Sequence, residues 1–171
     1  MLTTNIDPLI GGSILAAGCT SFRTIFNRDR KISLTEGDGS HIVYLHGYWF
    51  DADTLHTPRQ LNQDRSQLRS SLANLLRNQI VVLLAYGGWY DAFTRALVDV
   101  AVDDNAYPEI VWCFRDKTPR VRTQLLDLLR PGLDRSRISF YAGVDSQTQA
   151  LQCTNNPNGP PGGGPSSEVR M

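Results

Sequence analysis

A histidine followed by a glycine, His46-Gly47, ends the apolar run Ile42-Val43-Tyr44-Leu45. Four such residues, rich in β-branched and aromatic types, predict a strand buried on both faces, as inside a parallel sheet. A histidine at that point lies at the carboxyl edge of the sheet, where open α/β folds place their ligands; on spacing alone, a polar residue that merely ends a strand is the favoured reading. Two further stretches offer chemistry of the same kind, Thr3-Thr4-Asn5-Ile6-Asp7 and Tyr86-Gly87-Gly88-Trp89. Asn5 can donate and accept while Asp7 only accepts, which suits ribose hydroxyls or a held water. His46 can hydrogen-bond a ribose hydroxyl and take its proton near neutral pH. Gly87-Gly88, ahead of a helix, lets backbone approach a ligand and offers N–H groups to phosphate. Each also has a plain structural role, Asp7 as a helix cap and the glycines as a tight turn.

The elements that must position these residues follow from the spacing of apolar side chains. Leu2 to Asn5 reads as the end of a strand. Asp7-Pro8 supplies an N-cap acceptor and a proline for the first helical position, followed by Ile10, Ile14 and Ala17 on one face and Gly18 as a stop. Ser21 to Phe26 alternates as a second strand, and Asn27 to Ser40 reads as a loop with a weak strand at Lys31 to Leu34. In the loop Tyr48 to Thr57, Trp49 and Phe50 either pack or face a ligand, and packing is the expectation because aromatic residues mostly serve burial. Gln63 to Asn78 is a helix with Leu68, Leu72, Leu75 and Leu76 on one face. Ile80 to Ala85 is a continuous apolar strand, and the turn Tyr86 to Asp91 leads into a helix bearing Phe93, Leu97, Val100 and Ala101. A third strand-helix unit follows in Glu109 to Phe114 and Arg120 to Arg130, closed by Pro131-Gly132, and Ile138 to Tyr141 is a final strand. This alternation predicts an α/β domain over residues 1–153 with a doubly wound parallel sheet. Three strand ends then share one sheet edge: those at Asn5, His46 and Gly87. The Pro/Gly-rich tail, residues 154–171, cannot bury enough apolar surface to order itself.

Composition narrows the function classes. With 171 residues the chain is long enough for one domain with a real core. Lys+Arg and Asp+Glu balance at 17 each, so no electrostatic footprint for nucleic acid or an anionic membrane is present. No apolar stretch approaches the length that crosses a bilayer, and the first residues lack the pattern of a signal peptide, so a cytoplasmic protein is expected. Cys19, Cys113 and Cys153 form no C-x-x-C pair, so neither a disulfide framework nor a metal site is expected.

Taken in order, Thr3-Thr4-Asn5-Ile6-Asp7-Pro8-Leu9 with Ala17-Gly18, then Ile42 to Gly47, then Val82 to Asp91 with Ala92 to Leu97, resemble the SIR2-like family. The likeness is to the sirtuin-related, NAD-consuming domains of bacterial anti-phage defence systems, and it runs from Leu2 to about Phe114. It implies a three-layer Rossmann-like sheet that binds NAD as substrate. It also implies that Asn5 of the T-x-N-x-D motif positions water or the nicotinamide ribose, with His46 of the H-G motif as catalytic base. Thr4, Asp7 and Gly47 would support the cofactor site, and Gly87 and Gly88 would line its adenosine side. The implied reaction cleaves the bond between nicotinamide and ribose.

Departures from the family pattern shape the expectation further. Sirtuin deacylases carry a zinc ribbon of cysteines soon after the H-G motif, whereas Tyr48 to Gln79 contains no cysteine; water, not an acyl-lysine, is therefore the expected nucleophile. The glycine-rich strand-loop-helix that opens the family fold is not seen before Thr3, and Tyr90 and Ala85 stand where relatives tend to have an acidic residue and a glycine. A domain truncated at its N-terminus would leave a strand edge open, to be filled by a complementing chain or a second copy. Two functions stay open: an NAD hydrolase, and a non-catalytic remnant or interaction module that keeps the fold. A protein deacylase is a more distant third.

Overall fold

The computed structural model describes residues 1–33, 38–50 and 53–144. Strands and helices alternate along them: β1 (Leu2–Thr3), α1 (Leu9–Ala16), β2 (Ser21–Ile25), β3 (Ser40–Tyr44), α2 (Pro58–Leu61), α3 (Ser66–Leu76), β4 (Ile80–Leu84), α4 (Ala92–Val102), β5 (Glu109–Cys113), α5 (Thr123–Asp134) and β6 (Ile138–Tyr141). All the strand pairings are parallel, in two three-stranded sheets ordered β1-β3-β2 and β4-β5-β6. The chain is thus α/β, with two compact units: Met1–Leu75 with Gly88–Asp99, and Leu76–Gly87 with Val100 onward. The expected tail from residue 154 and the boundary at residue 153 lie outside the described residues.

In the first unit β3 is the central strand, and Ile42, Val43, Tyr44 and Leu45 are all buried, as their unbroken apolar run demands. Helix α1 lies over one side of this sheet, where Ile10 and Ile14 pack on Ile42, Tyr44 and Tyr48. It ends as its sequence signals: Gly18 has φ +76°, its N–H donates to Leu15, and Cys19 N–H donates to Ile14. That pair of bonds is a Schellman closure, which needs a residue tolerant of left-handed backbone. At the other end Asp7 sits one position earlier than a side-chain N-cap, and its Oδ1 accepts the Leu9 N–H at 3.0 Å.

On the opposite side of the sheet, His41 stacks on Phe22 with ring centroids 4.4 Å apart and shares a 2.9 Å hydrogen bond with Thr24. Burial, and secondarily the Met1 ammonium, hold its pKa below the ordinary 6.5. The unfolded chain therefore binds the proton at higher pH than the folded one. The stability His41 contributes is complete above pH 6.5 and is lost as pH falls through its folded value. His41→Gln is expected to flatten the decline of unfolding free energy as pH falls below 6.5. An unchanged acid slope in denaturant titrations would contradict this.

Trp112 on β5 centres the second unit, fully buried among Tyr86, Phe114 and Phe140, with its indole N–H donating to the Tyr86 carbonyl at 3.1 Å. Val81, Leu83, Ile110, Ile138 and Phe140 share its face by register. Ile80, Val82 and Leu84 point the other way and are exposed. Parallel sheets are ordinarily covered on both faces, so β4 carries an apolar stripe that the described residues leave open.

Several elements differ from the sequence expectation. Pro131-Gly132 does not close α5, which runs on to Asp134. The proline falls in the last turn, and Asp127, whose carbonyl its missing N–H would have served, is an exposed residue. Gly132 is buried: a Cβ there would come within 2.6 Å of Ile138 Cδ1 and 2.8 Å of Ala101 Cβ. Gly132→Ala is expected to cost about 1–3 kcal/mol by overpacking, read as a lower urea midpoint; an unchanged midpoint would contradict this contact.

Helix α2 was not expected. Thr57 and Gln60 form a capping box around its first turn, with Pro58 at the first position, and the Thr-x-x-Gln spacing is the signal for it. Trp49 and Phe50 do not pack into the core; they are 59% and 65% exposed and lie against each other at 5.8 Å. Lys31–Ser33 form no strand, and Leu34 lies outside the described residues.

Candidate active site

Strands β1 and β3 run side by side in the same direction, with Thr3 opposite Tyr44. Their carboxyl ends therefore open into neighbouring loops. Leu45 N–H donates to the Thr3 carbonyl at 2.9 Å, and Trp49 N–H donates to the Ile6 carbonyl at 2.8 Å. These two bonds bracket Thr4, Asn5 and Ile6 on one strand end and His46, Gly47 and Tyr48 on the other. The amide and the imidazole singled out in the sequence are thus carried by adjacent backbone segments. Asn5 is exposed, Thr4 and Asp7 are half-buried, and His46 and Gly47 are buried.

His46 is 6% exposed and its Nε2 lies 2.8 Å from Oδ2 of Asp91, itself 2% exposed. Asp91 immediately precedes α4, and its Oδ1 accepts the backbone N–H of Thr94 at 2.9 Å. One carboxylate thus caps a helix and holds the imidazole. Buried carboxylates are costly unless hydrogen-bonded on this scale. Arg65, also buried, completes the surroundings. Its guanidinium donates to the carbonyls of Leu45 (2.7 Å), Phe26 (3.2 Å) and Arg28 (3.2 Å), tying the ends of β2 and β3 together. Burial pulls the Arg65 pKa down, against the opposing charges of Asp29 and Asp91.

Gly47 makes the turn that lets the chain leave β3 beneath His46. Its φ is +89°, and a Cβ would strike the carbonyl oxygen of Asp53 and lie 3.0 Å from Thr54 Cα. The Leu55 N–H to His46 carbonyl bond, 2.8 Å, closes the same loop. His-Gly at the strand end is therefore a steric requirement as well as a pair of polar groups.

Gly87 and Gly88 are placed differently. The strand they follow, β4, belongs to the other sheet. Gly88, buried with φ +65°, falls in the first unit with Asp91. Gly87 falls in the second, where it lines a cavity of about 300 Å³ with Ala85, Phe114, Arg115, Arg120 and Arg122. This cavity lies at the carboxyl ends of β4 and β5. Helix α4 begins only at Ala92, and its Thr94 N–H is taken by Asp91, so the glycines do not directly precede free helix N–H groups. A larger cavity of about 850 Å³ lies in the first unit between α1 and the sheet, walled by Gly11, Gly12, Arg23, Ile42, Tyr44 and Tyr48. None of the seven residues named from sequence lines it.

Two members of this arrangement were not singled out in the sequence. Asp91 was visible only as the end of the turn Tyr86 to Asp91, 45 residues from the histidine it holds. Arg65 stood in a polar stretch with no motif around it. Among the described residues no group of three or more His, Cys, Asp or Glu side chains is placed to hold a metal ion, and no helix is long and apolar enough to cross a membrane. Set against protein-family models, curated proteins and solved structures, the chain gives no match.

Proposed function

We propose that this chain carries the nicotinamide-ribose part of a SIR2-like NAD+ hydrolase site, with the two sheets belonging to a Rossmann-like doubly wound domain. The observation that supports it is the buried imidazole-carboxylate pair at the end of β3, adjacent in the sheet to the strand end bearing Asn5. A histidine held this way is a general base with a fixed ring. In the reaction the N-glycosidic bond breaks, its electron pair leaves with nicotinamide, and water adds to the ribose carbon. His46 takes the proton released from water or from a ribose hydroxyl. The Asn5 amide orients the water and the ribose, Thr4 and Asp7 support that loop, and Gly47 keeps backbone close to the ligand. In the second unit, the cavity lined by Gly87, Arg115, Arg120 and Arg122 suits a phosphate group by its charge. No metal takes part in this scheme.

A second reading has an observation of its own: the exposed stripe Ile80, Val82 and Leu84 on β4 suits an interaction module, or a homo-oligomer or complementing chain that covers it. Nicotinamide release from NAD+ by the purified protein, followed chromatographically, separates the two. Release that is lost in Asn5→Ala supports the hydrolase. No release by the unmutated protein, alone or with a complementing chain, favours the module. A role in anti-phage defence belongs to the same proposal and rests on the family likeness alone.

A further inference from the structure

The carboxylate of Asp91 has both oxygens committed: Oδ1 accepts from Thr94 N–H at 2.9 Å and Oδ2 faces His46 Nε2 at 2.8 Å. An ionised carboxylate can only accept, so the hydrogen in the second bond must sit on Nε2. The Asp91 carboxylate and the Arg65 guanidinium attract one another. In the neutral ring Nδ1 is then the one nitrogen able to take a proton. We infer that Asp91 is a positioning residue that locks His46 in the Nε2–H tautomer and leaves Nδ1 as its basic atom. As a role in catalysis, this rests on the hydrolase reading; as a statement about the ring, it does not.

The cap supplies an unusually clean test. In Asp91→Asn the side-chain oxygen can still accept from Thr94 N–H, as asparagine is as good an N-cap as aspartate. Keeping that bond turns the amide nitrogen toward His46. A donor then meets Nε2, and the ring must move its hydrogen to Nδ1. The nitrogen-15 spectrum of the histidine rings reads this directly. In the unmutated protein His46 is expected to show a protonated Nε2 and a bare Nδ1; in Asp91→Asn the two signals exchange, with the melting temperature held within about 4 °C. Nicotinamide release should then fall on the order of 10²- to 10⁴-fold in kcat with little change in KM. Asp91→Ala, which loses cap and partner together, should instead lower the melting temperature.

A ring that keeps hydrogen on Nε2 in Asp91→Asn, or that carries it on Nδ1 in the unmutated protein, overturns the inference. Exchanged signals together with no nicotinamide release by the unmutated protein uphold the positioning role of Asp91 and overturn the hydrolase reading. Release that survives Asp91→Asn undiminished, with the signals exchanged, overturns the catalytic part alone.

Discussion

On the proposed hydrolase reading, replacing His46 by alanine is expected to lower nicotinamide release on the order of 10²- to 10⁴-fold, the usual contribution of a positioned general base. The loss should fall on kcat, because in the proposed reaction the proton moves only as the glycosidic bond breaks and water adds. A stability cost comes with it. Asp91 would keep its bond to Thr94 N–H but lose the 2.8 Å hydrogen bond with His46, inside a buried site. Such a loss costs about 1–3 kcal/mol, more for a charged group. Rates measured well below the melting transition separate the two effects, and a folded His46→Ala protein that turns over like the unmutated one would exclude His46 as the base.

The largest loss of stability is expected from Gly47→Ala. Two costs add at this position. The backbone sits at φ +89°, which an alanine adopts only with strain, and the new Cβ would collide with the main-chain oxygen of Asp53, which cannot swing aside as a side chain could. Each effect of this kind costs on the order of 1–3 kcal/mol. Together they are enough to unfold a domain of marginal stability. Gly12→Ala is the internal control, since nothing lies within 4 Å of a Cβ there and the residue is inside α1; it should stabilise by about 0.5–1 kcal/mol. Equal midpoints for the Gly47 and Gly12 variants in urea would show that the turn after His46 is not constrained as described.

The elements were legible wherever the information is local. The unbroken apolar runs of β3, β4 and β5, the leucine spacing of α3 and the glycine after α1 each act over a few residues. Strand β6 spans Ile138–Tyr141, the same residues its sequence indicates. Pairing was less legible, because nothing in Leu2–Thr3 or Ile80–Leu84 names the neighbour each strand takes. The expectation of three strand ends on one edge meets two separate sheets, β1-β3-β2 and β4-β5-β6. Trp49 and Phe50 show the limit of composition: aromatic types favour burial, yet here the two rings shield each other in a loop.

The candidate site was half legible for the same reason. His46 and Asn5 sit at strand ends that pattern alone can locate. Asp91 reaches His46 because β3 and the residue before α4 meet in space, and Arg65 reaches the carbonyls of Phe26, Arg28 and Leu45 across 20 to 39 residues of chain. A buried arginine or aspartate looks, in sequence, like any other surface charge. What could have flagged Asp91 is its place three residues before Thr94, the spacing of an N-cap.

On the proposed reading, the ends of β1 and β3 form one nicotinamide-ribose site. The most direct measurement is an NAD+ titration followed by nuclear magnetic resonance, observing the Asn5 side-chain amide and the His46 ring together. Both signals should move along a single saturation curve, and Asn5→Ala should weaken the response at His46. Signals that stay still at saturating NAD+, or that move with different dissociation constants, would contradict a shared site.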